Sequence, residues 1–389
     1  MKVMSVFGTR PEAVKMCPLV LELQKHREIE SLVCLTGQHR KMLRQVMDAF
    51  HVREDYNLDI MRPRQTLSGV HAAILLQMDG LLEAEKPDIV LVHGDTGTSF
   101  AAALAAFHHQ IPVGHVEAGL RTFNKRSPFP EEMNRCLTAR IADYHFAPTE
   151  NNRRNLQREG ITQGVYVTGN TVMDAFATTV KKDYVFTNEA IRPVVDAGQK
   201  IVLVTAHRRE NWGRALENIC RAILALSRRY PVLQFIYPVH PNPAVRQTVL
   251  PLLSGRDNIL LTEPLDVPDM HNLISRSYLV LTDSGGLQEE APAFGVPVLV
   301  LRTETERPEA VDAGTVKMAG VETGTIVTEA ARLIDSPAAY ARMAHAVNPY
   351  GDGRRRSGSS ATCWRTAATS CARARRRGGN RTISGENRG

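Results

Sequence analysis

Short apolar runs that alternate with helical segments are the feature that most constrains the fold of this chain. Ile89–His93 and Ile201–Thr205 are typical runs, and a turn of small or polar residues follows each of them. A largely apolar run of this length is typical of a strand buried on both faces, and its alternation with helices favours parallel sheets. The sequence therefore predicts a parallel α/β fold.

The predicted strands form two groups, separated by a stretch from residue 168 to about residue 199 that we predict to be irregular. A chain of 389 residues is too long for one core, which favours two domains. We predict two Rossmann-like doubly wound domains, residues 1–169 and 170–352, with an interdomain cleft at the carboxyl ends of both sheets. The predicted strands are residues 2–7, 32–36, 89–93, 113–116, 144–147 and 165–167, then 201–205, 233–237, 259–261, 278–281 and 297–301.

Residues 353–389 differ in composition from the rest of the chain. They contain ten Arg and one Glu with no Lys or Asp, a charge of +9, whereas the other 352 residues carry −2. The net charge of +7 therefore belongs to this tail, and a nucleic-acid-binding function would depend on it alone. We expect a disordered tail, either a natural basic segment or an out-of-frame gene end; Trp364 and two cysteines favour the second.

Composition restricts the compartment and the cofactors. No apolar run approaches the roughly 18 residues that span a bilayer, and the chain enters its first strand without a signal segment. The six cysteines have neither CxxC nor metal-site spacing. We expect a cytoplasmic protein without a metal site.

Two turns that follow predicted strands suit an anionic ligand such as a diphosphate. The turn at Ser284, Gly285 and Gly286 precedes a helix whose free N–H groups can bind an anion, and glycine lets a ligand approach the backbone. The alternative is an ordinary serine N-cap. The turn after the first strand carries Arg10 and Lys15, with a helix predicted over residues 13–24; the alternative for Lys15 is surface charge.

Three carboxylates follow predicted strands or loops of the first domain. Asp95 and Glu117 each stand at the carboxyl end of a strand, and Gly119 gives the second loop room to turn. We expect like charge to raise the pKa of one of these two groups, which suits an acid/base pair. The alternative for Asp95 is a helix cap. Glu131 could instead complement a helix dipole or pair with Arg135 at i+4.

Further candidate ligands lie in the second domain. His207 follows the strand at residues 201–205 and could contact phosphate or protonate a leaving oxygen; the alternative is a structural histidine. Glu290 could accept hydrogen bonds from sugar hydroxyls. Arg307 could bind hydroxyls or phosphate, or could be surface charge.

Eight segments in the same order make the chain resemble the non-hydrolysing bacterial UDP-N-acetylglucosamine 2-epimerases over residues 1 to about 352. The segments are 7–13 (FGTRPEA), 36–39 (TGQH), 92–96 (VHGDT), 115–121 (HVEAGLR), 130–135 (PEEMNR), 205–211 (TAHRREN), 238–242 (PVHPN) and 282–291 (TDSGGLQEEA).

The resemblance implies a GT-B-type architecture and reversible conversion of UDP-GlcNAc into UDP-ManNAc without a cofactor. In the family reaction the C2 proton is removed and UDP is expelled to give a glycal, to which UDP adds back. The resemblance also implies a homodimer and a role in supplying cell-envelope polysaccharide. It assigns acid/base chemistry to Asp95, Glu117 and Glu131, with His207 assisting at the diphosphate. The residues it assigns to UDP are Arg10, Lys15, Ser284, Gly285, Gly286, Glu290 and Arg307.

The sequence departs from the family pattern in three places. Met270 stands where many relatives place an aromatic residue near uracil, so it would cover the ring with weaker stacking. Relatives can bind a second UDP-GlcNAc as an activator; Gln38, Arg64 and Glu131 match that site, whereas Lys41 replaces a Gln of some relatives. Relatives end in a helix that packs across the domains, and no such helix is evident after residue 353.

Four other functions remain open at this point. A GT-B glycosyltransferase would keep the UDP site but would not explain three carboxylates. A hydrolysing epimerase would release UDP and free ManNAc. An inactive UDP-sugar-binding protein would bind without turnover, and a nucleic-acid binder would depend on residues 353–389.

Overall fold

The structure is a computed structural model that describes residues 1–37, 40–62 and 64–351. The first half contains seven strands: β1 (Lys2–Phe7), β2 (Glu30–Leu35), β3 (Tyr56–Asn57), β4 (Ile89–His93), β5 (Val113–Val116), β6 (Tyr144–Ala147) and β7 (Val165–Val167). Its helices are α1 (Arg10–Gln24), α2 (Arg40–Phe50), α3 (Leu67–Glu85), α4 (Gly97–His108), α5 (Glu131–Ile141) and α6 (Glu150–Arg158).

The second half contains six strands: β8 (Ile201–Thr205), β9 (Gln234–Pro238), β10 (Ile259–Thr262), β11 (Leu279–Thr282), β12 (Val298–Val300) and β13 (Val316–Met318). Its helices are α7 (Val172–Thr179), α8 (Arg192–Asp196), α9 (Arg214–Arg229), α10 (Pro243–Leu253), α11 (Val267–Arg276), α12 (Gly285–Glu290), α13 (Pro308–Asp312), α14 (Thr323–Asp335) and α15 (Pro337–Ala344). Short 3₁₀ turns lie at Arg209–Asn211 and Ala291–Phe294.

Both sheets are parallel and doubly wound, which confirms the predicted fold class. The first has the order β3-β2-β1-β4-β5-β6-β7 and the second β10-β9-β8-β11-β12-β13. The order reverses between β1 and β4 and between β8 and β11. Ligands of open α/β sheets bind at the carboxyl ends of such neighbouring strands.

The predicted strands with continuous apolar runs are all present, and two strands were missed. β3 has two residues and β13 has three, and each lies at the edge of its sheet. Edge strands of this length contain no buried run that would distinguish them in the sequence. The first helix begins at Arg10 rather than at residue 13, because Glu12 accepts hydrogen bonds from the backbone N–H groups of Gly8 and Thr9 and fixes the first turn.

The segment predicted to be irregular contains α7 and α8, so that prediction was wrong in part. Val172 and Phe176 of α7 are buried in an apolar cluster that includes side chains of both halves. The ring of Phe176 lies 4.9 Å from the ring of His271 in α11. The segment between the sheets is therefore part of the core, and helix α7 is too short for its periodicity to be evident.

The last described residues pack against this same region. Tyr350 is buried, and its carbonyl oxygen accepts a hydrogen bond of 3.2 Å from the backbone N–H of Asn170. The predicted tail, residues 353–389, lies outside the described residues. Within the described part of the chain, no helix is long and apolar enough to cross a membrane.

Candidate active site

A cleft of about 340 Å³ lies between the carboxyl ends of the two sheets and is lined by residues of both halves. All twelve residues predicted to act in catalysis or substrate binding line it. They are Arg10, Lys15, Asp95, Glu117, Glu131, His207, Met270, Ser284, Gly285, Gly286, Glu290 and Arg307. Their common location follows from the sheet order, which places the turns after β1, β4, β8 and β11 at the switch points.

The turn after β1 crosses towards the second half. The Arg10 guanidinium donates a hydrogen bond of 3.0 Å to the carbonyl oxygen of Leu265. Glu12 is buried in the turn and accepts a hydrogen bond of 2.7 Å from the Thr96 hydroxyl, in addition to its backbone donors. It therefore ties the β1 turn to the β4 turn. Sequence reasoning did not assign Glu12, although its capping-box position was a usable signal.

Lys15 is buried rather than exposed, so the surface-charge alternative was wrong. Only 6% of the residue is exposed, and its ammonium pairs with Glu117 and, at 3.2 Å, with Glu289. Burial alone would lower the pKa of Lys15, but the two carboxylates outweigh it and raise the pKa. Lys15 therefore stays charged inside the cleft.

Glu117 follows β5 in a left-handed conformation, with a φ of 59°. Such a backbone is uncommon for a residue other than glycine and directs this side chain into the cleft, where it contacts Lys15. Gly119, with a φ of 89°, allows the following turn, because a Cβ there would lie closer than 3.0 Å to the carbonyl oxygen of Asn152. The expectation that Gly119 gives the loop room is confirmed.

The pKa of Glu117 is set by neighbouring positive charge and not by the repulsion from Asp95 that we expected. Burial would raise the pKa of Glu117, but the charge of Lys15, together with that of Arg307, outweighs burial and lowers it. His93 lies 3.7 Å from the Glu117 carboxylate, and burial lowers the pKa of His93 to about 4. Repulsion from Asp95 is not what sets the pKa of Glu117, so the prediction of a like-charge pair was wrong for these two groups.

Asp95 is held by α5 and does not cap α4. Its carboxylate pairs with Arg135, and its carbonyl oxygen accepts a hydrogen bond of 2.9 Å from the Asn134 side chain. The cap of α4 is Thr96, whose hydroxyl accepts a hydrogen bond from the backbone N–H of Ser99. The helix-cap alternative for Asp95 was therefore wrong.

Glu131 is the first residue of α5 and is half-buried in the cleft. It does not form the i+4 pair with Arg135, whose partners are Asp95 and, at 3.0 Å, Glu132. Burial raises the pKa of Glu131, and the nearby charge of Asp95 raises it further. The like-charge effect thus acts between Asp95 and Glu131, and the position of Glu131 also suits the helix dipole.

His207 follows β8 and is held by a buried carboxylate. Its Nδ1 lies 3.4 Å from Asp283, which also accepts the backbone N–H groups of His207 and Arg208 at 2.7 and 2.8 Å. The His207 ring stacks on His240 with 5.3 Å between centroids. Burial lowers the pKa of His207, so the ring is neutral near pH 7, and the Asp283 carboxylate favours the tautomer with a proton on Nδ1.

The turn after β11 is shaped by side chains rather than by open space. The Ser284 hydroxyl forms no capping hydrogen bond, so the serine-cap alternative does not account for it. A Cβ on Gly285 would lie closer than 3.0 Å to the Arg307 guanidinium, and one on Gly286 would lie 3.0 Å from Glu290. The glycines therefore make room for these two side chains, and both also line the cleft, so their predicted contact with a ligand stays a prediction.

Arg307 is buried beneath this turn, so the surface-charge alternative was wrong here too. It donates a hydrogen bond of 2.6 Å to Glu289 and pairs with Glu306. Glu289 is fully buried and was not assigned from the sequence. A pair of adjacent glutamates on a six-residue helix gives no signal of which one faces the cleft.

Glu290 is a cleft carboxyl group whose pKa is raised into the neutral range. Burial raises the pKa of Glu290 to about 7, and the charge of Glu289 adds to this effect, against Lys15, Arg10 and Arg307. Its carboxylate lies 3.9 Å from the ring of His271. Glu290 thus changes charge near neutral pH when the cleft holds no ligand.

The residues predicted for an activator site are placed only in part. Gln38 and the side chain of Lys41 lie outside the described residues. Arg64 is exposed, has a φ of 58° and does not line the cleft, whereas Glu131 does.

Two doubly wound domains with a charged cleft at their switch points define a GT-B-type α/β protein. The chain belongs to the UDP-N-acetylglucosamine 2-epimerase family, whose model matches residues 21–357.

Relatives match over almost their whole length. A UDP-N-acetylglucosamine 2-epimerase of Bacillus subtilis is 53% identical over 356 residues, which are 91% of this chain and 92% of that protein. The crystal structure of the Neisseria meningitidis UDP-GlcNAc 2-epimerase bound to UDP-GlcNAc is similar with a TM-score of 0.90 and 49% identity, covering 95% of this chain and 100% of that chain. A Methanocaldococcus jannaschii UDP-GlcNAc 2-epimerase in complex with UDP-GlcNAc and UDP is 32% identical, with a TM-score of 0.82 and the same coverage of both chains.

Proposed function

We propose that this chain interconverts UDP-GlcNAc and UDP-ManNAc by inverting the configuration at C2. The observation that carries this proposal is the convergence of three carboxylates and several cations in one interdomain cleft, in a chain of this family. Inversion at C2 needs proton transfer on both faces of the sugar, and expulsion of UDP needs positive charge at the diphosphate. The cleft contains side chains suited to both tasks.

The proposed reaction is an elimination followed by a re-addition. The C2–H bond and the bond from C1 to the UDP oxygen break, which forms a C1=C2 double bond and releases UDP within the cleft. A proton then returns to C2 from the opposite face, and the UDP oxygen bonds to C1 again. Because C2–H is weakly acidic, stabilisation of departing UDP supplies much of the rate.

We assign proton transfer at C2 to Asp95, Glu117 and Glu131 as a set. Glu117 is kept ionised by Lys15 and can accept a proton. Glu131 has a raised pKa, which suits a proton donor. Asp95 lies close enough to Glu131 to influence its charge and is oriented by Arg135.

We assign the diphosphate and nucleoside to residues of both domains. Arg10 follows β1, His207 follows β8, the neighbour of β11, and both line the cleft together with the turn at residues 284–286. His207 assists the departing diphosphate. Arg307 and Lys15 add positive charge beneath that turn. Glu290 accepts hydrogen bonds from sugar hydroxyls, and Met270 of α11 covers the uracil ring.

We also propose a homodimer, a cytoplasmic location and activation by a second UDP-GlcNAc. Outward-facing apolar side chains on three neighbouring helices, Leu76 of α3, Phe107 of α4 and Leu137 of α5, support a self-association face. Light scattering tests the dimer, which the double variant Leu76→Gln, Phe107→Gln should weaken.

Free cysteines among the described residues suit a reducing compartment, which supports the cytoplasmic location. We retain the domain boundary after residue 169, between β7 and β8.

Chromatographic analysis of the products tests the proposed reaction. The purified protein is incubated with UDP-GlcNAc, and UDP-GlcNAc, UDP-ManNAc, UDP and free sugar are separated over time. We expect UDP-ManNAc to appear and reach a constant ratio to UDP-GlcNAc, with the same ratio reached from UDP-ManNAc. Release of UDP with free ManNAc would contradict the proposal and indicate the hydrolysing reaction.

A further inference from the structure

A buried network behind the cleft joins one carboxylate from each domain. Glu117 follows β5 in the first domain, and Glu289 lies on α12 in the second and is fully buried. The Lys15 ammonium contacts both, pairing with Glu117 and lying 3.2 Å from Glu289. A single buried cation therefore bridges the domains through two carboxylates.

Asn170 repeats this bridge with a neutral donor. Its side-chain N–H group donates to Glu117 at 3.0 Å and to Glu289 at 2.7 Å. The side-chain oxygen of Asn170 accepts the backbone N–H of Val172 at 3.1 Å, which fixes the orientation of the amide. Asn170 lies at the start of the segment that connects the two sheets. Both donors thus meet the same pair of carboxylates where the domains join.

Each carboxylate of this network has a buried cation as a partner. Lys15 pairs with both Glu117 and Glu289, and Arg307, which also pairs with Glu306, donates to Glu289 at 2.6 Å. Unpaired charges at this depth would be costly, so contact between the domains fixes the partners of each group. Burial acts to raise the pKa of both carboxylates. It raises the pKa of Glu289, whereas the charge of Lys15 outweighs burial at Glu117 and lowers its pKa, so the network favours the ionised state of Glu117.

Helix α12 connects this network to the predicted nucleotide turn. The helix begins at Gly285, directly after Ser284, and ends at Glu290, so Glu289 lies one turn away from the turn proposed to hold diphosphate. Movement of α12 with a bound nucleotide would move Glu289 relative to Lys15 and Asn170.

We propose that Glu289 is a positioning residue. When the domains close on a nucleotide, Glu289 holds Lys15 and Asn170 in place, and these two donors orient Glu117 for proton transfer at C2. This inference rests on the proposed function. Glu289 does not touch the reacting atoms in this account; it acts through the two donors that it shares with Glu117.

Glu289→Gln tests the inference, because it keeps the side-chain shape and removes the charge. Lys15 then has Glu117 as its one carboxylate partner in the network, and the contact between the domains loses its ion pair. We expect kcat for epimerisation to fall about tenfold to a hundredfold, the effect of a misplaced catalytic group, while the Kd for UDP stays within about threefold of wild type. The isotope effect on kcat with UDP-GlcNAc deuterated at C2 should also increase, because C2–H cleavage becomes slower.

Glu329→Gln is the control. Glu329 lies on α14 of the second domain, is partly buried, and pairs with Lys317 at 2.7 Å and with Arg332 at 3.1 Å, but it does not line the cleft and contacts none of the network residues. We expect Glu329→Gln to leave kcat and the isotope effect within about twofold of wild type. A loss that reflects only fewer folded molecules changes kcat without changing the isotope effect.

The results separate the two claims. Wild-type protein that does not exchange the C2 proton would overturn the proposed function and this inference with it. Active wild-type protein with an unchanged kcat in Glu289→Gln, or with equal losses in Glu289→Gln and Glu329→Gln, would overturn this inference alone. If Glu289→Gln does not fold, Asn170→Ala decides in the same assays: a fall in kcat with UDP affinity retained supports the inference, and wild-type kcat overturns it.

Discussion

Glu290→Gln should make the free protein more stable at high pH, because the native side chain holds a carboxylate in a buried site. Burial raises the pKa of Glu290 from 4.5 to about 7. Between these two values the folded chain binds a proton that the unfolded chain has released, so the contribution of Glu290 to stability falls as the pH rises through this window. Glutamine does not titrate, and the variant escapes this loss.

The expected size follows from the same two pKa values. The free energy of unfolding of Glu290→Gln, measured relative to wild type, should rise by about 2.5 kcal/mol between pH 5 and pH 8. Urea unfolding followed by circular dichroism, without nucleotide, measures this difference. Glu189→Gln removes an exposed carboxylate and serves as the control, for which we expect no comparable rise.

The same variant should bind nucleotide more weakly. If Glu290 accepts hydrogen bonds from sugar hydroxyls, its loss should raise the Kd for UDP-GlcNAc at pH 8 about tenfold to a hundredfold, the range for a hydrogen bond to a charged group. Isothermal titration calorimetry measures this Kd.

The stability prediction has its own refuting result. A difference in the free energy of unfolding between Glu290→Gln and wild type that is constant from pH 5 to pH 8, or that falls over this range, would show that burial does not raise the pKa of Glu290.

Three further substitutions test other parts of the site. Asp95→Asn should lower the epimerisation rate about 10²- to 10⁴-fold while the Kd for UDP changes less than about threefold; equal losses in rate and affinity would contradict its acid/base assignment. Lys15→Met should lower the free energy of unfolding by about 3–5 kcal/mol in urea titrations, because it leaves the buried carboxylates Glu117 and Glu289 without their shared cation. Almost no change in the free energy of unfolding would indicate that Lys15 is exposed. Gly119→Ala should cost about 1–3 kcal/mol more than Gly160→Ala, since both have a positive φ but only Gly119 lies against the Asn152 carbonyl.

The parallel α/β fold could be predicted because its central strands carry their own signal. β4, β5 and β8 are apolar or buried throughout, and their boundaries agree with the predicted ones. β3 and β13 could not be predicted, because a strand of two or three residues at a sheet edge is specified by its neighbour rather than by its own side chains.

The cleft residues could be found from motifs, but their charge partners could not. The surface-charge alternative for Lys15 stayed open because its partner Glu289 lies 274 residues away in sequence and in the other domain. Glu289 and Glu290 are adjacent and chemically identical, and only the packing of α12 distinguishes the network residue from the cleft residue. Long-range pairing of this kind is a property of the folded chain.

Proton NMR of UDP-GlcNAc incubated with the purified protein in D₂O tests the proposed cleavage of the C2–H bond. We expect UDP-ManNAc in which C2 carries deuterium, together with loss of the C2 proton signal of UDP-GlcNAc as the reaction reverses. Formation of UDP-ManNAc that retains the original C2 proton, or binding of UDP-GlcNAc without any exchange at C2, would contradict it.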